Sequence, residues 1–143
     1  MNRVYRWHFH FNALHNMVPD QDEQKHMHSF LVVASMEVNE IELQLQNACE
    51  QAVKQYLSRY RGKYLNELDE FKEMLPTIEN MCEVLYEAVG QIAQEYHIHL
   101  IQMEVGDSPV AMCAMGERLL VGSDYREVSQ ESYLKYKRES GMK

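Results

Sequence analysis

Val4-Tyr5-Arg6-Trp7-His8-Phe9-His10-Phe11-Asn12-Ala13-Leu14-His15, read together with His26-Met27-His28, decides the fold. Tyr5, Trp7, Phe9, Phe11, Ala13 and His15 alternate with Arg6, His8, His10, Asn12 and Leu14. A period of two carried by aromatic side chains predicts a strand over residues 4–15. Residues 16–25 are polar and contain Pro19, so a loop follows. Residues 26–38, HMHSFLVVASMEV, read as a second strand. Its apolar content on both faces implies cover on both sides.

Beyond this pair the period changes. Leu45, Ala48, Cys49, Ala52, Tyr56 and Leu57 form a helical stripe within residues 41–58. Residues 59–75 are charged and contain Gly62, which predicts a turn and then short irregular or helical structure. Pro76-Thr77 opens the clearest helix, with Thr77 as its cap and Glu79 in the first turn. Ile78, Met81, Cys82, Leu85, Val89, Ile92 and Tyr96 make its apolar face. Residues 97–105 alternate again and read as a third strand. Gly106-Asp107-Ser108-Pro109 reads as a turn. Residues 110–122 supply a fourth strand or a hairpin pair. The order β-β-α-α-β-β predicts an α+β domain over residues 1–122, with an antiparallel sheet and both helices on one face. Residues 123–143 are a polar tail or short helix.

Composition narrows the partners. The chain has 143 residues, 45% of them hydrophobic, which suits one domain with a real core. Its formal net charge of -8 disfavours nucleic acid. No apolar run is long enough for a membrane span. The N-terminus lacks a signal-peptide pattern, and Cys49, Cys82 and Cys113 form no CxxC pair. A cytoplasmic protein is expected, and any metal must be held by histidine and carboxylate.

Six of the seven histidines form HxH pairs: His8/His10, His26/His28 and His97/His99. On a strand such residues share a face, about 6.5–7 Å apart. For His8/His10 and His97/His99, solvent-facing polar positions are the simpler reading. His26/His28 has a third histidine in reach, because the loop after His15 can return the chain antiparallel. Three imidazoles facing one point would leave a fourth position open, as catalytic zinc requires. Spacing alone leaves this reading and an incidental one open.

Phe11-Asn12-Ala13-Leu14-His15 resembles the F-x-A-A-H motif of the 6-pyruvoyl-tetrahydropterin synthase family, which includes 6-carboxy-tetrahydropterin synthase. His26-Met27-His28 resembles its H-G-H motif, with Met27 for glycine. Tyr64-Leu65-Asn66 resembles its Y-L-N element, and Pro76-Thr77-Ile78-Glu79-Asn80 its P-T-x-E-N helix start. Met103-Glu104 sits where the family carries a glutamate that anchors the pterin. The elements occur in family order over residues 11–104. The resemblance implies the tunnelling fold, in which sheets from several subunits close into a barrel. It also implies hexamers with sites between subunits, zinc on His15, His26 and His28, and a pterin-like ligand. Glu104 would accept from the ring's N–H and amino groups. Thr77 would either lend backbone N–H groups to the site or serve only as a cap.

The chain departs from the family at its acid–base groups. The catalytic cysteine position holds Asp22, and Arg61-Gly62-Lys63 replaces the Asp-His before Y-L-N. The glycine-rich hairpin after the second strand is missing. Glu23, three residues before His26, is a substitute base; a solvated acidic loop is its other reading. Two functions are therefore expected: a zinc-dependent lyase acting on a dihydroneopterin-type substrate, or a non-catalytic protein binding zinc and a pterin-like ligand.

Overall fold

The computed structural model describes residues 2–16, 26–39, 43–108, 110–117, 119–121 and 126–127. Two long strands, β1 (Asn2–His15) and β2 (His26–Asn39), pair antiparallel over their whole length. β2 leads almost directly into helix α1 (Leu43–Leu57). Three short 3-10 turns, Ser58–Tyr60, Leu65–Glu67 and Asp69–Phe71, then carry the chain to helix α2 (Ile78–Glu95). β3 (His99–Gly106) and β4 (Cys113–Gly116) complete a four-stranded antiparallel sheet in the order β1-β2-β3-β4. A small hairpin pairs β5 (Leu120–Val121) with β6 (Arg126–Glu127). The expected domain boundary at residue 122 lies outside the described residues.

Alternation assigns the two faces of the sheet. Phe9, Phe11 and Ala13 are buried, and their partners Val32, Phe30 and His28 share their face. Val105 and Met103 join that face opposite Val32 and Ala34. Cys49, Val53 and Leu57 of α1 and Met81, Cys82, Leu85 and Val89 of α2 pack in the same core. Phe11 and Phe30 stack with ring centroids 5.3 Å apart, an arrangement worth about 0.5–1.5 kcal/mol beyond area burial.

The reverse face carries Arg6, His8, His10 and Glu104. It is not bare. Val33, Ser35 and Gln102 are buried there, and the Leu120 N–H donates to Gln102 Oε1 at 2.6 Å. This accounts for a β2 that is apolar on both sides.

The third strand starts later than its histidines suggest. His97 takes a left-handed backbone with φ 61° and ends α2. Its N–H reaches the Gln94 carbonyl, and the Ile98 N–H reaches that of Ala93, closing the helix in a Schellman motif. The strand's alternation also breaks at a bulge, where Ser35 pairs with Gln102 but Met36 pairs with Leu100. Among the described residues, no helix is long and apolar enough to cross a membrane.

Candidate metal centre

β1 ends where its outer edge is stitched to residues 62–66. Gly62 N–H donates to the Asn12 carbonyl at 2.7 Å, and Leu14 N–H to that of Lys63 at 2.8 Å. Gly62 has φ 71°, a left-handed turn that suits glycine. Asn66 then brackets the residue after His15: its Oδ1 accepts from Asn16 N–H, and its Nδ2 donates to the Asn16 carbonyl, each at 2.9 Å. These contacts give the Tyr64-Leu65-Asn66 element a physical task, which is to hold the end of β1. Tyr60 braces the same segment from the core. Its buried hydroxyl donates to Glu70 Oε2 at 3.0 Å and lies 2.7 Å from the Tyr56 hydroxyl.

His15 is 1% exposed. Its Nδ1 lies 3.2 Å from the Pro76 carbonyl oxygen. With Nδ1–H donating there, Nε2 carries the lone pair, the tautomer a metal ligand needs. The Pro76-Thr77 element therefore serves the site through a backbone carbonyl. Thr77 itself caps α2, its hydroxyl accepting from Asn80 N–H at 3.0 Å.

His28 stands beside His15 with ring centroids 4.6 Å apart, edge to face. The third member of the cluster is Asp107. Its Oδ2 lies 3.8 Å from His15 Nε2 and 3.9 Å from His28 Nδ1. One ligand atom from each of the three lies within 4.8 Å of the others. Two imidazole nitrogens and a carboxylate oxygen are a donor set that suits zinc.

The other expected site residues divide. His26 pairs directly with His15 across β1 and β2; its side chain lies outside the described residues, as does Glu23. Glu104 stands on the reverse face. It pairs with Val33, and its Oε2 lies 3.6 Å from Arg6 Nη2. The sheet itself therefore separates Glu104 from His15 and His28. His8 and His10 are exposed on that reverse face. His99 meets Glu117 at 3.1 Å in an exposed pair, and His97 belongs to the helix end.

Asp107 lies in Gly106-Asp107-Ser108-Pro109, whose composition predicts a turn and so hides it as a site residue. The signal was parity: Met103, Val105 and Asp107 share one face, and Glu104 falls on the other. The cysteines take no part in the cluster. Burial pushes the Cys49 thiol up to about 11 and that of Cys82 up to about 12. Cys82 spends its Sγ–H on the Met103 carbonyl at 3.3 Å.

A four-stranded antiparallel sheet, two helices on one face and a histidine–carboxylate cluster at the sheet's end define a protein of the tunnelling-fold class. The sequence profile of the 6-pyruvoyl tetrahydropterin synthase family matches residues 5–118, and the chain belongs to that family. Its fold is similar to that of Caenorhabditis elegans 6-pyruvoyl tetrahydropterin synthase, at 12% identity and TM-score 0.69 over 81% of this chain and 96% of that one. An uncharacterized protein from Wolinella succinogenes is similar at 12% identity and TM-score 0.57, over 82% and 99%. Plasmodium falciparum 6-pyruvoyl tetrahydropterin synthase is similar at 10% identity and TM-score 0.54, again over 82% and 99%. No curated protein matches this chain significantly.

Proposed function

We propose that this chain binds one zinc ion through His15, His26 and His28 and uses it to process a dihydroneopterin-type substrate as a lyase. The observation that carries the reading is the convergence of His15, His28 and Asp107, with the His15 tautomer fixed by Pro76. When bound, zinc would supply Lewis acidity that makes a proton beside a ligand oxygen easier to remove. The chain's own groups do the rest. Glu23 is the proposed base that takes this proton. The ring anchor is proposed to be Asp107 in place of Glu104, because Asp107 is the carboxylate on the histidine side of the sheet. A carboxylate accepts from a ring N–H and the neighbouring amino group together. Thr77 acts as a helix cap. Hexameric assembly with sites completed between subunits, in the cytoplasm, remains part of the proposal.

A second reading has its own support. Arg61-Gly62-Lys63 replaces the family's Asp-His, and Gly62 and Lys63 spend backbone groups on stitching β1. A protein that holds zinc and a pterin-like ligand without turning it over fits that use. Zinc-loaded protein incubated with dihydroneopterin and its triphosphate separates the two. Product formation that stops on chelation supports the lyase. Saturable binding of an unchanged pterin supports the second reading, and absence of both refutes the pair.

A further inference from the structure

We infer that Asp107 is itself a metal ligand in the resting protein, so that an incoming ligand has to displace it. The inference rests on the metal reading above and concerns the state before any pterin arrives. Two ligand atoms bonded to one tetrahedral zinc at about 2.0–2.1 Å lie roughly 3.3–3.4 Å from each other. Asp107 Oδ2 lies 3.8 Å from His15 Nε2 and 3.9 Å from His28 Nδ1. All three donor atoms fall within 4.8 Å of one another. An ion between the two imidazoles therefore meets the carboxylate after a contraction of about half an ångström, within the reach of a side-chain rotation. A carboxylate already this close to both nitrogens leaves no room for a ring or a chain of atoms between itself and the ion.

The backbone favours this placement. β3 continues to Gly106, and the parity that buries Met103 and Val105 carries Asp107 onto the histidine face. Asp107 is about a quarter exposed, as is His28, while His15 is buried. With His26 as the third histidine proposed above, three imidazoles and one carboxylate would make a closed set of the kind found where zinc is held without an open position. An incoming ligand would then reach the metal only once the Asp107 carboxylate had swung aside. The released carboxylate is then free to accept from the ring, which joins this inference to the anchor role proposed above.

The test uses the full chain and cobalt(II) as a visible probe of the zinc site. Zinc affinity, the cobalt(II) absorption spectrum and its response to azide are measured in wild type, Asp107→Ala and Asp107→Asn. Asp107→Asn preserves shape but offers a poor ligand, so it separates coordination from packing. Circular dichroism confirms that each variant is folded. Both variants are expected to lose about tenfold or more in zinc affinity. Azide should change their spectra at concentrations that leave wild type unaltered. If both variants keep wild-type affinity and azide perturbs all three proteins alike, Asp107 is not a ligand, while the histidine centre stands. If wild type binds neither zinc nor cobalt(II), the metal reading fails and takes this inference with it.

Discussion

Replacing Asn66 with alanine removes the clamp on the end of β1, and its cost follows from the structure. Asn16 is 2% exposed, and both its N–H and its carbonyl lose a partner at 2.9 Å. Each buried polar group stripped of a hydrogen bond costs about 1–3 kcal/mol. Asn66 is only half-buried, so water can replace part of the loss, and the total should fall near 2–3 kcal/mol. For a chain of this size that lowers the melting temperature by roughly 6–12 °C. The effect on metal binding is separate. His15 adjoins Asn16, and freeing the strand end should weaken zinc binding by about 10–100-fold, as loss of outer-shell support does elsewhere. Asn66→Asp still accepts from Asn16 N–H but sets a carboxylate oxygen against the Asn16 carbonyl. It should therefore be no better than alanine for stability. Thermal unfolding followed by circular dichroism, without metal, reads the first effect. Zinc competition against a chromophoric chelator reads the second. A melting temperature unchanged in both variants, with zinc affinity within about twofold of wild type, would mean that Asn66 does not clamp the end of β1.

Three further outcomes follow from other parts of the fold. Gly116→Ala should cost about 1–3 kcal/mol, because a Cβ there meets the Ile101 carbonyl oxygen and lies 2.9 Å from Gln102 Cα; a wild-type urea midpoint would contradict this. His97→Gly should raise stability by about 0.5–1 kcal/mol, since glycine takes φ 61° without the left-handed penalty; a loss of stability would count against the motif at the end of α2. Alkaline pH should destabilise the fold. Burial pushes Cys49 to about 11 and Cys82 to about 12, and burial with the neighbouring Tyr56 hydroxyl pushes Tyr60 upward too. The unfolded chain then gives up these protons first, so this stability is fully present below about pH 8.5 and is lost as pH rises toward the folded values. Urea midpoints measured from pH 8 upward should fall, and less steeply in Tyr60→Phe; a flat profile refutes the assignment.

The long elements were legible because their patterns are strong and uninterrupted. Alternating aromatics marked β1, and the predicted residues 4–15 differ from Asn2–His15 only at the start. Pro76-Thr77 marked α2, and Thr77 does cap it. Periodicity failed where the backbone departs from a regular period. His97/His99 looked like one strand face, yet His97 closes a helix and only His99 lies in β3. A bulge at Ser35/Met36 shifted the register that alternation assumes. The histidine–carboxylate cluster was half legible. His15 and His28 converge as their strand spacing suggested, because an antiparallel register sets Ala13 opposite His28 and His15 opposite His26. Their supports were not legible. Pro76 and Asn66 act from 61 and 50 residues away, and such contacts leave no mark in local sequence. Asp107 was not legible as a neighbour of the histidines, because the turn pattern of Gly106-Asp107-Ser108-Pro109 hides its place just beyond β3, on the face opposite to Glu104.

The central claim is that His15 and His28, with His26, hold a metal ion at the end of the sheet. Metal analysis of the purified full chain by mass spectrometry, set against His15→Ala and His28→Ala, tests it most directly. Wild type should carry about one zinc per chain, lost in both variants while circular dichroism shows them folded. Wild-type protein that carries no zinc and takes none up from solution would contradict it.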